Sequence, residues 1–78
     1  MIKVHVVILG ALTRPSGKDD FEHEVSDGAN LEGLLLALGY QQTHLRFIVA
    51  SVNGIRRSLG YQVCDRDEVV LVLPTSGG

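Results

Sequence analysis

Asn30 to Gly39 reads NLEGLLLALG, and the fold turns on this stretch. Asn30 is a good helix N-cap, because its side-chain oxygen can accept an amide hydrogen of the first turn. Leu31, Leu34, Leu35 and Leu38 follow the spacing that sets all four on one stripe of a helix. Gly39 stands where a left-handed glycine stops a helix. The predicted helix has about two turns, too short to persist alone in water. Gly33 inside it costs about 1 kcal/mol relative to alanine. The leucine stripe therefore needs a sheet to lie on.

Strand signals flank it on both sides. Ile2 to Leu9 (IKVHVVIL) is rich in β-branched residues and apolar on both faces, as an interior strand is. Gly10 through Lys18 carries Thr13, Pro15, Ser16 and Gly17 and reads as a loop. Asp20 to Val25 (DFEHEV) alternates like a strand with one wet face, and Ser26, Asp27 and Gly28 break it. Beyond the helix, Tyr40 to Arg46 reads as a polar connection and Phe47 to Val52 as a strand. Asn53-Gly54 is a strong two-residue hairpin signal, with Ile55 to Arg57 as a short return strand. Leu59 and Tyr61 are expected to plug the end of the core from an irregular segment. Asp65-Arg66-Asp67 reads as a tight, solvated acidic turn before a last strand, Glu68 to Leu73 (EVVLVL). The expectation is an α+β fold in which one helix lies on a mixed sheet of four or five strands. The first and last strands would sit side by side at its centre. No repeat, low-complexity tract or linker divides residues 1–74, which are expected to form one domain.

Composition narrows the function. The chain has 78 residues, of which 45% are hydrophobic. A domain of this size buries only about 60% of its unfolded surface, yet this apolar content argues against disorder. Nine acidic and seven basic residues give a formal charge of −2. The bases are scattered as Lys3, Arg14, Lys18, Arg46, Arg56, Arg57 and Arg66, which argues against nucleic acid as a partner. Cys64 is the only cysteine, so no internal disulfide forms, and a reducing cytosol is favoured. The apolar run Val4 to Leu9 is interrupted by His5 and lacks a signal-peptide cleavage site. No run approaches the roughly 20 residues needed to cross a bilayer. A soluble, cytoplasmic protein without a membrane partner is the expectation.

The usual marks of an autonomous active site are missing. His5, His23 and His44 are far apart and have no cysteine or carboxylate at metal-ligand spacing. Each is expected at the surface or an edge, and no metal site is expected. Cys64 has only Arg66 as a basic neighbour and reads as a half-buried structural thiol. Asp65, Asp67 and Glu68 fit no EF-hand spacing. No GxGxxG, phosphate loop or GxSxG is present. The chain is expected to have no catalytic residues of its own and to bind no cofactor.

What remains is the end, VLVLPTSGG from Val70 to Gly78. Pro74 ends strand pairing because it has no amide hydrogen. Thr75, Ser76, Gly77 and Gly78 have no partner segment, reach about 14 Å when extended, and are expected to form a flexible Gly-Gly tail. A tip without side chains suits a channel too narrow for a Cβ atom, where it would bring a carboxylate to a reacting group. By alternation, Val69, Leu71 and Leu73 face the helix while Val70 and Val72 face outward. With Val7 and Leu9 of the first strand, these valines would form an apolar patch for a partner, unless a loop or a self-contact between copies covers them. Arg56, Arg57 and the acids of Asp65 to Glu68 would then tune partner choice or simply be solvated.

Taken together, these elements resemble the ubiquitin-like β-grasp sulfur carriers, namely the molybdopterin synthase small subunit and the thiamine-pathway sulfur carrier. The resemblance covers essentially the whole chain. It rests on IKVHVVIL, NLEGLLLALG, the hairpin strand ending in Val52-Asn53-Gly54, and above all DRDEVVLVLPTSGG. That last run is similar to the family's D-G-D-E-V, strand and proline-containing tail ending in Gly-Gly. The resemblance implies that an adenylating enzyme of the ubiquitin-activating kind, using ATP and magnesium, activates Gly78. A persulfide would then convert Gly78 to a thiocarboxylate for a sulfur-accepting synthase, either the molybdopterin synthase large subunit or thiazole synthase. Pro74 makes the tail more similar to the molybdopterin branch than to the thiamine branch. Arg66 departs from the pattern, standing where the turn commonly has glycine. The same tail suits carriers for tRNA thiolation or cysteine synthesis and modifiers joined to lysines. A non-covalent β-grasp interaction module is the reading from another class.

Overall fold

A computed structural model describes residues 1–74; Thr75, Ser76, Gly77 and Gly78 lie outside the described residues. Five strands and two helices follow in the order β1 (Ile2–Leu9), β2 (Asp20–Val25), α1 (Leu31–Leu38), α2 (Gln42–Leu45), β3 (Val49–Val52), β4 (Ile55–Arg57) and β5 (Glu68–Val72). They make one sheet in the order β2-β1-β5-β3-β4. β1 and β5 pair in parallel, and every other pairing is antiparallel. The first and last strands are neighbours, as their apolar character requires, and β5 holds the centre.

The local signals around α1 act as expected, with help from afar. The Leu31, Glu32 and Gly33 amides have no acceptor inside the helix. Leu31 donates to the Tyr61 carbonyl (2.9 Å), Glu32 to that of Leu59 (3.0 Å), and Gly33 to Asn30 Oδ1 (2.8 Å). The irregular segment that plugs the core thus also caps the helix. At the other end Gly39 turns left-handed at φ 112°. There the Gly39 amide donates to Leu36 and the Tyr40 amide to Leu35, which satisfies carbonyls the helix leaves open. A side chain at 39 would also press on Pro15, whose Cβ lies 3.0 Å from the position a Cβ would take.

Leu31, Leu34 and Leu35 share one core with Val4, Val6, Ile8, Ala50, Val52, Val69 and Leu71, all at most 2% exposed. The β3–β4 turn falls on Asn53 and Gly54, both at positive φ (53° and 86°), the geometry that an Asn-Gly hairpin favours.

Three local expectations need correction. The stretch after α1 is not merely a polar connection, since Gln42–Leu45 forms a helical turn. The Phe47 and Ile48 amides continue it by donating to His44 and Leu45, so β3 starts at Val49. Leu45 and Ile48, three residues apart and both buried, anchor this turn. Cys64 is exposed, not half-buried. Asp67 is not a solvated turn residue: it is 6% exposed. Its carboxylate accepts from Asn53 Nδ2 (2.9 Å), the Cys64 amide (2.8 Å) and the Tyr61 hydroxyl (3.3 Å). That carboxylate, together with burial, raises the Tyr61 pKa, burial being the larger cause.

The turn forms with arginine where the resembled pattern has glycine. Arg66 takes a left-handed conformation at φ 68°, which costs a non-glycine residue about 1–2 kcal/mol. The turn is laced to β1 on either side. Lys3 donates its amide to Asp65 Oδ1 (2.9 Å), Arg66 donates to the Lys3 carbonyl (2.7 Å), and His5 donates to the Asp67 carbonyl (2.9 Å). These contacts hold a geometry that arginine alone disfavours.

Candidate functional site

The leucine helix covers one face of the sheet, so every second residue of the central strands points the other way. Strand register decides what meets there. Val7 stands beside Val70, and Leu9 beside Val72, across the parallel pair. Val70 stands beside Ser51, and Val72 beside Val49, across β5 and β3. Ser51 in turn faces Arg56 on β4. The four residues expected as an apolar patch, Val7, Leu9, Val70 and Val72, are therefore brought together. No described segment seals them: Leu9 is 48% exposed and the three valines are half-buried. Val49 extends the patch and was not foreseen; its alternation with buried Ala50 is the signal that could have found it.

Charge borders this stripe unevenly. Asp20 pairs with Val7, Glu22 with His5 and Glu24 with Lys3, so β2 lines one flank with carboxylates. Glu68 adds another beside His5. Arg56 supplies a cation at the opposite flank. His5 sits between the acids: Nε2 lies 2.5 Å from Asp20 Oδ1 and Nδ1 lies 3.4 Å from Glu68 Oε2. The Asp20 hydrogen bond is the main cause raising the His5 pKa above its usual value, partly offset by desolvation and supported by Glu68. Because the carboxylates meet opposite edges of the ring, they do not converge on a point, and no metal-holding cluster exists among the described residues. His23 and His44 do not join this group.

The stripe runs toward the end of the sheet from which the chain leaves. β5 stops at Val72, Leu73 packs partly against the core, and Pro74 is exposed. Leu73 forms one wall of an open groove of about 650 Å³, with Leu12, Pro15, Tyr40, Phe47 and Ile48 among its other walls. The β1–β2 loop is fastened beside this groove. The Arg14 guanidinium donates to the carbonyls of Ile8, Gly10 and Leu12 (3.1, 3.1 and 2.8 Å). The Tyr40 hydroxyl donates to the Thr13 carbonyl at 2.6 Å. Burial raises the Tyr40 pKa, with Arg14 opposing. The loop and α2 therefore give the exit a built frame. No helix among the described residues is long and apolar enough to cross a membrane.

A mixed sheet with one principal helix on one face and an apolar stripe on the other defines a ubiquitin-like β-grasp domain. The match to the ThiS family covers residues 6–78, and the chain belongs to that family of small ubiquitin-like sulfur carriers. No curated protein matches it in sequence. Solved structures share the fold. Small archaeal modifier protein 1 of Haloferax volcanii superposes with a TM-score of 0.79 at 18% identity, covering 96% of this chain and 100% of that one. A putative molybdopterin converting factor subunit 1 from Pyrococcus furiosus gives 0.77 at 21% identity, with 96% and 100% covered. A protein of the complex between subunits 1 and 2 of the molybdopterin-converting factor from Helicobacter pylori gives 0.66 at 20%, with 99% and 100% covered.

Proposed function

We propose that this chain carries sulfur on the carboxyl group of Gly78 and delivers it in molybdopterin assembly. The observation that carries the reading is the family match, which runs through residue 78. Likeness to subunit 1 of molybdopterin-converting factors, one of them in complex with subunit 2, supports the branch. It also supports docking of a synthase subunit.

The chemistry follows from what a carboxylate lacks. At neutral pH a terminal carboxylate, with a pKa of about 3.3–3.7, is an anion and a poor electrophile. An adenylating partner lets a Gly78 oxygen attack the α-phosphate of ATP and expels pyrophosphate, with magnesium held by that partner. The outer sulfur of a donor persulfide then displaces AMP from the acyl carbon. A thiol cleaves the resulting S–S bond, is itself oxidised, and leaves the thiocarboxylate on Gly78. In this reading Pro74 ends the sheet, and Thr75, Ser76 and Gly77 present the acyl group in a narrow channel. Val7, Leu9, Val70 and Val72 dock the body against the partner. The chain itself contributes no acid, base or metal.

The test is incubation with the cognate activating enzyme, ATP and a sulfur donor, followed by intact mass measurement. The expected result is the mass gain of one oxygen replaced by sulfur, lost when either closing glycine becomes phenylalanine. An unchanged mass with a competent enzyme overturns the reading. The likeness to an archaeal modifier favours a second reading, attachment through Gly78 to lysines, which adducts on other proteins would reveal.

A further inference from the structure

The imidazole of His5 has a carboxylate at each nitrogen, Asp20 from β2 at Nε2 and Glu68 from β5 at Nδ1. A neutral imidazole has a single N–H; only the imidazolium donates from both nitrogens. The Asp20 contact is a hydrogen bond and the Glu68 contact a longer ion pair. The ring attracts both carboxylates only when protonated, and on losing its proton it holds at most one of them. Every strand facing it contributes charge. Glu22 and Asp20 come from β2, Glu68 from β5, and Lys3 from β1 itself, with Lys3 Nζ 4.0 Å from Glu22 Oε1. Asp65 and Arg66 of the turn line the same hollow. The cluster lies one row from Val7 and Val70, at the border of the apolar stripe.

We propose that His5 is a proton-operated latch on this face: the imidazolium bridges Asp20 and Glu68, while the neutral ring frees a carboxylate for a cationic group of a docking protein. Protonated, the trio carries one net negative charge; deprotonated, it carries two, beside apolar surface. The partner that fits is an apolar protein surface with a guanidinium or ammonium group opposite β2. This inference rests on the open face being the docking face, and its test uses neither the tail nor sulfur loading, so the two readings fail separately.

The test is an NMR titration of the whole chain from about pH 5 to 9, which brackets histidine ionisation. It follows the His5 ring and the side-chain carboxyl carbons of Asp20 and Glu68. The expected result is a His5 midpoint above the ordinary value of about 6.5, with a step in both carboxyl resonances at that pH. Asp20→Asn lowers the midpoint more than Glu68→Gln does, and His5→Gln abolishes the step while the amide spectrum stays folded. Methylguanidinium, charged throughout this range, is then added as a probe. It should shift the two carboxyl resonances more above the midpoint than below it. A midpoint indifferent to both substitutions, carboxyl resonances without a step, or a probe response equal or absent at both pH values each overturns the proposal.

Discussion

The two faces of the sheet are built by the same strands and meet opposite fates. On the covered face, Val6, Val69 and Leu71 are fully buried beneath α1. On the open face, Val7, Val70 and Val72 are one residue away along the same strands, yet half-buried and bordered by charge. β-branched residues favour strands on either face, so strand propensity explains the valines of both sets. Burial explains only the first. The difference separates what folds the chain from what the fold holds out, and each substitution below probes one side of it.

The largest effect belongs to the covered face. Leu71→Ala should cost about 2–5 kcal/mol, the range for emptying a packed aliphatic site. For a domain with so thin a core this approaches the whole stability. Denaturant unfolding would measure it, and a loss below 1 kcal/mol would mean that the faces are less distinct than their burial implies. Next comes Asp67, at the head of the strand that serves both faces. Asp67→Ala strands the Cys64 amide and the Asn53 and Tyr61 donors, costing about 1–3 kcal/mol. Amide exchange should speed up at both Val69 and Val70, one from each face. Faster exchange at one alone would show that the turn does not govern the register of β5.

Much of this was legible because the signals are local. The Asn30 cap, the leucine spacing, Gly39 and Asn53-Gly54 each act within a turn or two of chain, and the alternation along β5 assigned its faces correctly. What escaped depends on distant partners. Asp67 sits in an acidic run that reads as solvated, and its burial makes sense only with Asn53, fourteen positions away, beside it. The His5 trio exists only through the registers of β1 with β2 and β5. The helical turn Gln42–Leu45 has three polar residues and was betrayed only by the Leu45 and Ile48 spacing. Of the candidate site, the stripe could be assembled from alternation plus adjacency of β1 and β5. The chemistry assigned to Gly78 rests on residues outside those described.

Arg66 allows the comparison to be sharpened without touching the valines of either face, although it lines the hollow beside His5. The turn keeps a left-handed residue at 66, and arginine there is 92% exposed along its side chain with one long contact, 4.0 Å to Asp65. Exchange for glycine removes the Cβ penalty of about 1–2 kcal/mol and returns part of it as chain entropy lost on folding. Arg66→Gly should therefore stabilise by somewhat less than that penalty, seen as a higher unfolding midpoint at unchanged denaturant slope. A destabilised variant would show that the guanidinium makes a contribution its exposure conceals. If the gain is found, this background gives room to alter the open face without approaching the folding threshold.

The smallest effect on folding is the one on which the open-face reading most depends. Val70→Thr keeps the β-branched shape and exchanges a half-buried methyl for a hydroxyl that water can reach. Stability should change by no more than about 0.5 kcal/mol, as for surface positions away from caps and networks. If Val70 serves a partner, the same change puts a polar group in the centre of a dry contact, where an unpaired hydroxyl costs about 1–3 kcal/mol. Binding to the cognate synthase subunit should then weaken roughly five- to 150-fold, since each 1.4 kcal/mol is tenfold. A variant that unfolds early would place Val70 in the core after all. One that binds as tightly as the parent would show that the stripe meets only water.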